Sequence, residues 1–267
     1  MEIELSVIIV NYNGLKYLQN CLDSLFGNLK NSRFEIIVVD NNSDDESCSF
    51  IKTHFPAVKL LESNENLGFG KANNYGVQHA KGDFILFLNN DTILLDPVQP
   101  ALEELKSNQD YGFLTINMVG ENKNYIPAVG KFPSPWRMIK ISLLNDERTE
   151  FRTGNFDLEK VYQVDWVTGA FMLLRKADFE KVDGFDSDYF MYVEDVDLCK
   201  KIANLGKTGV FVPKLSYIHF VGFNKTRENM LIHGYRIYAQ KHFSGYSKQL
   251  ALMLLFVNKT VKRLKNY

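Results

Sequence analysis

Residues 5–10, 34–39, 58–61 and 84–88 are short, almost continuously apolar runs, and segments with helical spacing lie between them. Leu15, Leu18, Leu22, Leu25, Phe26 and Leu29 recur every three to four residues after the first run. Residues 45–55 follow the second, with Ser43 as an expected N-cap and Pro56 as the stop, and residues 71–80 follow the third. Strands without polar alternation are buried on both faces, and their alternation with helices dictates a parallel sheet in an α/β layer fold. Ligands on such sheets collect at the carboxyl ends of the strands. Here those ends carry Asn11, Tyr12 and Asn13, then Asp40, Asn41 and Asn42, then Asn89, Asn90 and Asp91. Asn and Asp also make ordinary turns, but three such ends on one edge point to a polar ligand.

Composition narrows what that ligand is. Lys plus Arg (31) nearly cancels Asp plus Glu (32) in 267 residues, so no global field exists to hold a polyanion, and nucleic acid is not expected as a partner. Cys21, Cys48 and Cys199 show no paired spacing, which fits a reducing cytoplasm and thiols that act as small buried hydrophobes. The first apolar run ends at Asn11, too early for a signal-peptide core or a membrane span, so a cytoplasmic location is expected. From 119 to about 163 regularity fades into Gly, Pro, Asn and scattered charge, as expected of a mobile loop region near an acceptor or of plain surface. The last segment, 247–267, has helical spacing and ends in Lys259, Lys262, Arg263 and Lys265; its apolar stretch, 250–257, is too short to cross a bilayer. It should pack on the domain or a second copy, or lie on the inner face of an anionic membrane.

Several motifs carry chemistry. Asp40 ends an apolar strand, where its carboxylate can accept hydrogen bonds from a base or ribose. Residues 66–74 pack Asn66, Gly68, Gly70, Lys71, Asn73 and Asn74 before a helix, so backbone can approach a negatively charged ligand closely. This is not a Walker loop, since no Ser or Thr follows Lys71, and Gly206-Lys207-Thr208 lacks the required first glycine. Asn89, Asn90 and Asp91 are hard oxygen donors suited to Mg²⁺ or Mn²⁺ bridging a diphosphate. Glu194, Asp195 and Asp197 form the densest acidic cluster and follow the aromatic run Tyr189-Phe190-Met191-Tyr192. An apolar wall beside a carboxylate raises its pKa toward that of a useful general base. His219 ends a strand-like run and gains interest beside a metal.

In order and spacing these segments resemble glycosyltransferase family 2, within it the bacterial rhamnosyltransferase-like branch. The match runs from residue 5 to about Gly222 through Val7-Ile8-Ile9-Val10-Asn11-Tyr12-Asn13, Val38-Val39-Asp40-Asn41-Asn42-Ser43, Asn66-Leu67-Gly68-Phe69-Gly70, Leu88-Asn89-Asn90-Asp91, Gly169-Ala170-Phe171, Gly184-Phe185-Asp186 and Tyr192-Val193-Glu194-Asp195-Val196-Asp197-Leu198.

The resemblance implies a glycosyltransferase A-type α/β fold with a mostly parallel central sheet flanked by helices and a C-terminal helical extension. Residues 1–118 would bind the nucleotide sugar, 119–225 would hold the acceptor and the catalytic groups, and 226–267 would form the helical segment. Asn11, Tyr12, Asn13, Asp40, Asn42, Asn66, Gly68, Lys71, Asn89 and Asn90 would bind donor, and Asp91 and His219 the metal. Asp195 would be the catalytic base with Glu194 beside it, and Trp166, Gly169, Tyr192 and Asp197 would meet the acceptor. The implied reaction inverts the anomeric centre, with a thymidine diphosphate deoxysugar such as rhamnose or a uridine diphosphate hexose as donor and a glycan or lipid-linked saccharide as acceptor.

Two departures stand out: Asn89-Asn90-Asp91 where many relatives carry two aspartates, and Lys201 where an Arg is usual, which removes a bidentate fork. Rival readings are a catalytically silent membrane-associated scaffold, a sugar nucleotidyltransferase, for which the Asn11 loop lacks basic residues, and a nicotinamide dehydrogenase, for which a third glycine is missing.

Overall fold

The computed structural model describes residues 2–30, 33–220 and 227–265. Val221 and Gly222, and the side chains of Lys259, Lys262, Arg263 and Lys265, lie outside the described residues. The first half of the chain forms β1 (Leu5–Asn11), α1 (Leu15–Asn28), β2 (Phe34–Asp40), α2 (Ser47–His54), β3 (Lys59–Glu62), α3 (Gly68–Gln78), β4 (Phe84–Asn89), β5 (Thr92–Leu94), α4 (Gln99–Ser107) and β6 (Tyr111–Val119). The second half forms β7 (Val129–Gly130), α5 (Thr149–Thr153), β8 (Tyr162–Val164), β9 (Trp166–Val167), β10 (Phe171–Arg175), α6 (Lys176–Lys181), α7 (Glu194–Ala203), β11 (Thr208–His219), α8 (Arg227–His242) and α9 (Gly245–Lys265). Two 3₁₀ turns, Pro135–Ile139 and Ile141–Leu144, follow β7.

Among the described residues the main sheet has nine strands in the order β3-β2-β1-β4-β10-β6-β11-β5, with β8 also on β11. β1 to β4 are mutually parallel, β6 and β11 run the same way, and β10, β5 and β8 run against them. The sheet is thus mostly parallel, and the reversed β10 is inserted between β4 and β6. Register fixes the edge: Asn11 sits opposite Asp40, and Val10 opposite Asn89. At the far side Ile218 sits opposite Ile93 and His219 opposite Thr92.

Strand side chains point alternately to the two faces. Val7 and Ile9 join a core with α1, α2 and α4, while Ile8, Ile37, Ile85 and Phe87 join another with α3, α6 and α7. A third cluster unites Met138, Leu144, Tyr189, Val193 and Val196 with α8 and α9.

Three local expectations are corrected. α2 begins at Ser47, because Ser43 instead hydrogen-bonds the Asp40 carboxylate and Asp45 accepts from Ser47. α3 begins three residues early, at Gly68, whose φ of +77° and contact with the Phe190 carbonyl exclude a side chain. Residues 119–163 are neither mere loop nor mere surface: they contain β7, both 3₁₀ turns, α5 and part of β8, and bury Met138, Leu144, Phe151 and Tyr162. Their apolar residues are too irregularly spaced to read as elements, since 3₁₀ turns and two-residue strands carry no sustained period. Cys21 and Cys199 are buried as expected, and Cys48 is half-buried.

Candidate active site

The first loop is closed by side-chain hydrogen bonds between strand ends. The Asn11 amide nitrogen donates to Asp40 Oδ1 at 2.9 Å and its oxygen accepts from Asn90 at 2.8 Å, so one buried residue ties three strand ends together. Gly14 makes room for this, since a Cβ there would lie 2.0 Å from the Asn90 nitrogen and 2.4 Å from the Asn11 oxygen. Asp40 also accepts from the Ser43 hydroxyl at 2.6 Å and its amide at 2.9 Å. The Cys48 thiol also faces this carboxylate, whose charge helps to raise the thiol's pKa after burial. Asn13 and Asn42 adopt left-handed backbone, at φ 51° and 66°, which Asn tolerates through local hydrogen bonding. Asn13 accepts from the Asp44 amide, while Asn42 and Tyr12 are exposed.

Sequence reasoning passed over Asn41. Its nitrogen donates to Asn66 and to the Gly68 carbonyl, and its oxygen accepts from the Leu67 amide at 2.8 Å. This buried amide joins the end of β2 to the 66–70 loop, and it could have been found as the middle residue of Asp40-Asn41-Asn42. Lys71 projects, exposed, from the first turn of α3.

At the end of β4, Asp91 Oδ1 lies 3.1 Å from His219 Nε2, and the Asn89 side-chain nitrogen is 3.2 Å from the same atom. Antiparallel pairing of β5 with β11 brings the imidazole there, and the Phe220 amide donates to the Asp91 carbonyl. His219 Nδ1 is buried with no partner among the described residues. Mg²⁺ is commonly held by one or two protein groups together with substrate phosphates and water, and a carboxylate paired with an imidazole fits a Mg²⁺ or Mn²⁺ bound jointly with a diphosphate. Among the described residues no group of three or more His, Cys, Asp or Glu converges, so the protein alone offers two donors.

The acidic cluster occupies the first turn of α7. Tyr192 and Val193, directly before it, both have positive φ, 70° and 76°. A β-branched residue in that region is strained, and such strain gathers at functional sites. Gly234 of α8 packs against this pair, where a Cβ would lie 2.7 Å from the Tyr192 carbonyl. Asp195 Oδ2 accepts from the Gly169 amide at 3.0 Å, and Oδ1 from the Val196 amide at 2.8 Å. Gly169 has Phe69 on one side and Asp195 on the other, so any side chain would push the ring or lift the amide away. Burial raises the Asp195 pKa, held back by those amides and by the Thr168 hydroxyl. Burial raises Glu194 as well, with further push from the Asp195 charge, and Glu194 Oε2 has no partner among the described residues. Burial thus raises both carboxyls above the ordinary carboxylate range.

The turn before β10 unites the two centres. Gly169 donates to Asp195, and the next carbonyl, Ala170, accepts from the Asn89 amide at 3.1 Å. Consecutive Cα atoms are 3.8 Å apart, so the carboxylate of α7 and the strand end beside Asp91 are anchored by two adjacent residues. Gly169 thus lies against Asp195, and Tyr192 enters the same turn two residues before Glu194. Trp166 stands half-buried on β9, donating to the Lys131 carbonyl. Asp197 is turned inward instead: it is 1% exposed and accepts from His242 at 2.7 Å and from the Tyr189 hydroxyl at 3.3 Å. It fastens α7 to the end of α8 rather than opening to a ligand. Lys201, in the usual Arg position, donates to the Gly184 carbonyl at 2.6 Å, and burial lowers its pKa.

The description glycosyl transferase family 2 is that of a family model matching residues 6–183. The chain belongs to that family. Similar family members include the rhamnosyltransferase WbbL of Escherichia coli K12, 32% identical over 224 residues, with 80% of this chain and 82% of the relative covered. The N-acetylglucosaminyl-diphospho-decaprenol L-rhamnosyltransferase of Mycobacterium tuberculosis is 26% identical over 244 residues, covering 84% and 78%. Among solved structures, the mannosyltransferase PcManGT of Pyrobaculum calidifontis, in complex with GDP-Man and Mn²⁺, aligns at TM-score 0.64 with 16% identity, covering 99% of this chain and 76% of that one. GalNAc-T7 with UDP, GalNAc and Mn²⁺ aligns at 0.68 with 17% identity, covering 88% and 47%. At such identities the likeness establishes the fold, a mixed α/β sheet flanked by helices, as the sequence led us to expect. As a family 2 glycosyltransferase the chain uses a nucleotide sugar in glycan synthesis.

Proposed function

We propose that this enzyme is an inverting, Mg²⁺- or Mn²⁺-dependent transferase that moves a deoxyhexose or hexose from a nucleoside diphosphate to a hydroxyl of a glycan or lipid-linked saccharide. The observation that carries this reading is the pair of neighbouring anchors: Gly169 holds the Asp195 carboxylate while Ala170 holds the strand end that leads to Asp91. A base and a diphosphate site anchored by adjacent residues suit a single in-line displacement.

In this mechanism Asp195, whose pKa burial has raised, takes the proton of the acceptor hydroxyl as its oxygen attacks the anomeric carbon. The bond to the diphosphate breaks on the opposite face, and the anomeric centre inverts. Asp91 and His219 would hold the divalent ion, which would supply charge neutralisation for the leaving diphosphate. Asn11, Asp40 and Asn66 shape the base and ribose side, and the Gly68 turn keeps the aromatic run beside it. The names of the two rhamnosyltransferase relatives favour rhamnose as the sugar, and the second favours a lipid-linked acceptor; thymidine diphosphate is the nucleotide we propose, with a uridine diphosphate hexose as the second donor.

The test is calorimetric titration with thymidine, uridine and guanosine diphosphates, each with and without Mn²⁺. One nucleotide should bind in a Mn²⁺-dependent way, and Asp91→Ala should abolish that dependence. An unchanged Mn²⁺ effect in the variant would move the metal away from Asp91.

A further inference from the structure

α9 is two-faced in a way its own domain does not use. Ala251, Leu254, Leu255 and Asn258 are buried, and Asn258 donates to the Met138 carbonyl of the first 3₁₀ turn at 3.4 Å. The opposite face carries Met253 (55% exposed), Phe256 (70%) and Val257 (41%), residues three and four apart. The turn that α9 packs against contributes Trp136, 71% exposed, and Ile139, 49% exposed. These apolar side chains are set among cations: Arg137 and Lys140 flank the tryptophan, and neither has an ion-pair partner among the described residues. By sequence, residues 245–265 contain Lys248, Lys259, Lys262, Arg263 and Lys265 and no Asp or Glu, and residues 134–142 are likewise free of acids.

We propose that the outer face of α9 and the Trp136 turn form one membrane-interface surface that takes a bilayer rich in anionic lipid. Charge decides the occupant. A second copy of this chain would bring Arg137 and Lys140 to the same face and be repelled, whereas anionic headgroups complement them and the interface receives Trp, Phe and Met side chains. Among the described residues no helix is long and apolar enough to span the membrane, so contact of this surface is peripheral. The inner face of α9 shares its core with Val193 and Val196, on either side of the Glu194-Asp195 pair, so docking would hold the acidic turn at a defined attitude to the lipid surface. The inference does not depend on the donor or on the reaction.

The experiment is co-sedimentation of the full chain with vesicles of phosphatidylcholine alone or mixed with phosphatidylglycerol, at low and high salt, beside sedimentation velocity without lipid. Binding should require phosphatidylglycerol and fall severalfold at high salt. The double variant Trp136→Ser/Phe256→Ser should lower it by about tenfold or more while nucleotide binding and Tm stay as in the parent, since both side chains are exposed. Absence of binding to either vesicle, or equal binding by the double variant, would overturn the proposal. So would a dimer that the same substitutions dissolve, because the face would then belong to a second copy.

Discussion

Asp195 and Glu194 are adjacent in sequence and differ in surroundings. Two amides face Asp195, from Gly169 and Val196, whereas an oxygen of Glu194 is buried without a partner among the described residues. Replacing Asp195 by Asn keeps the shape and removes the base, so turnover should fall by roughly 10²–10⁴-fold while donor affinity by calorimetry remains. Normal turnover in that variant would take the base away from Asp195. Glu194 shows itself through stability. Its folded pKa is raised, so at low pH both folded and unfolded forms are protonated and no penalty exists. As pH rises past the unfolded value of about 4.3, the unfolded chain ionises while the folded one resists, and stability falls until the raised pKa is passed. Glu194→Gln should therefore melt higher than the parent, with the gap widening from about pH 5 through neutrality; a gap independent of pH would mean that Glu194 is not strained by burial. Both carboxylates were legible from the sequence as an acidic cluster after aromatics. Asp197 was equally legible and equally acidic, yet it faces inward, because one helical turn places successive residues on different sides and only packing decides which side is open.

At the level of elements, what the sequence revealed and what it hid divide by period. The strands that end at Asn11, Asp40 and Asn89 are sustained apolar runs and were legible to within a residue or two. The direction of β10 was not, since a buried strand reads the same forwards and backwards. Nor was the part α8 plays. It places Gly234 against the left-handed pair Tyr192–Val193, His242 against Asp197, and Lys241 at 2.6 Å from Asp186 and 2.7 Å from Asp188. Together these brace the segment that aims Asp195, and contacts 40 or more residues apart leave no local mark. Gly234→Ala would put a methyl 2.7 Å from the Tyr192 carbonyl and 2.8 Å from Val193 Cγ2. Turnover should drop by about tenfold or more, since small displacements of catalytic groups are costly. Nucleotide affinity, set at the ends of β1 and β2, should hold. Equal losses in both would make α8 a general support rather than a brace for one turn.

On the scale of the whole molecule, the site is assembled from segments far apart in the chain. The Asn11–Asp40–Asn90 lattice lies within the first hundred residues, but Ile93 pairs with Ile218 and Thr92 with His219. Contacts of such separation form late, after the loop between them has been closed. The strand ends proposed to cradle a nucleotide thus lie earlier in the chain than His219, which faces Asp91, and than α7, which brings Asp195 to Gly169. A fragment that lacked α7 and β11 would lack both the Asp195 carboxylate that Gly169 holds and the His219 imidazole that faces Asp91.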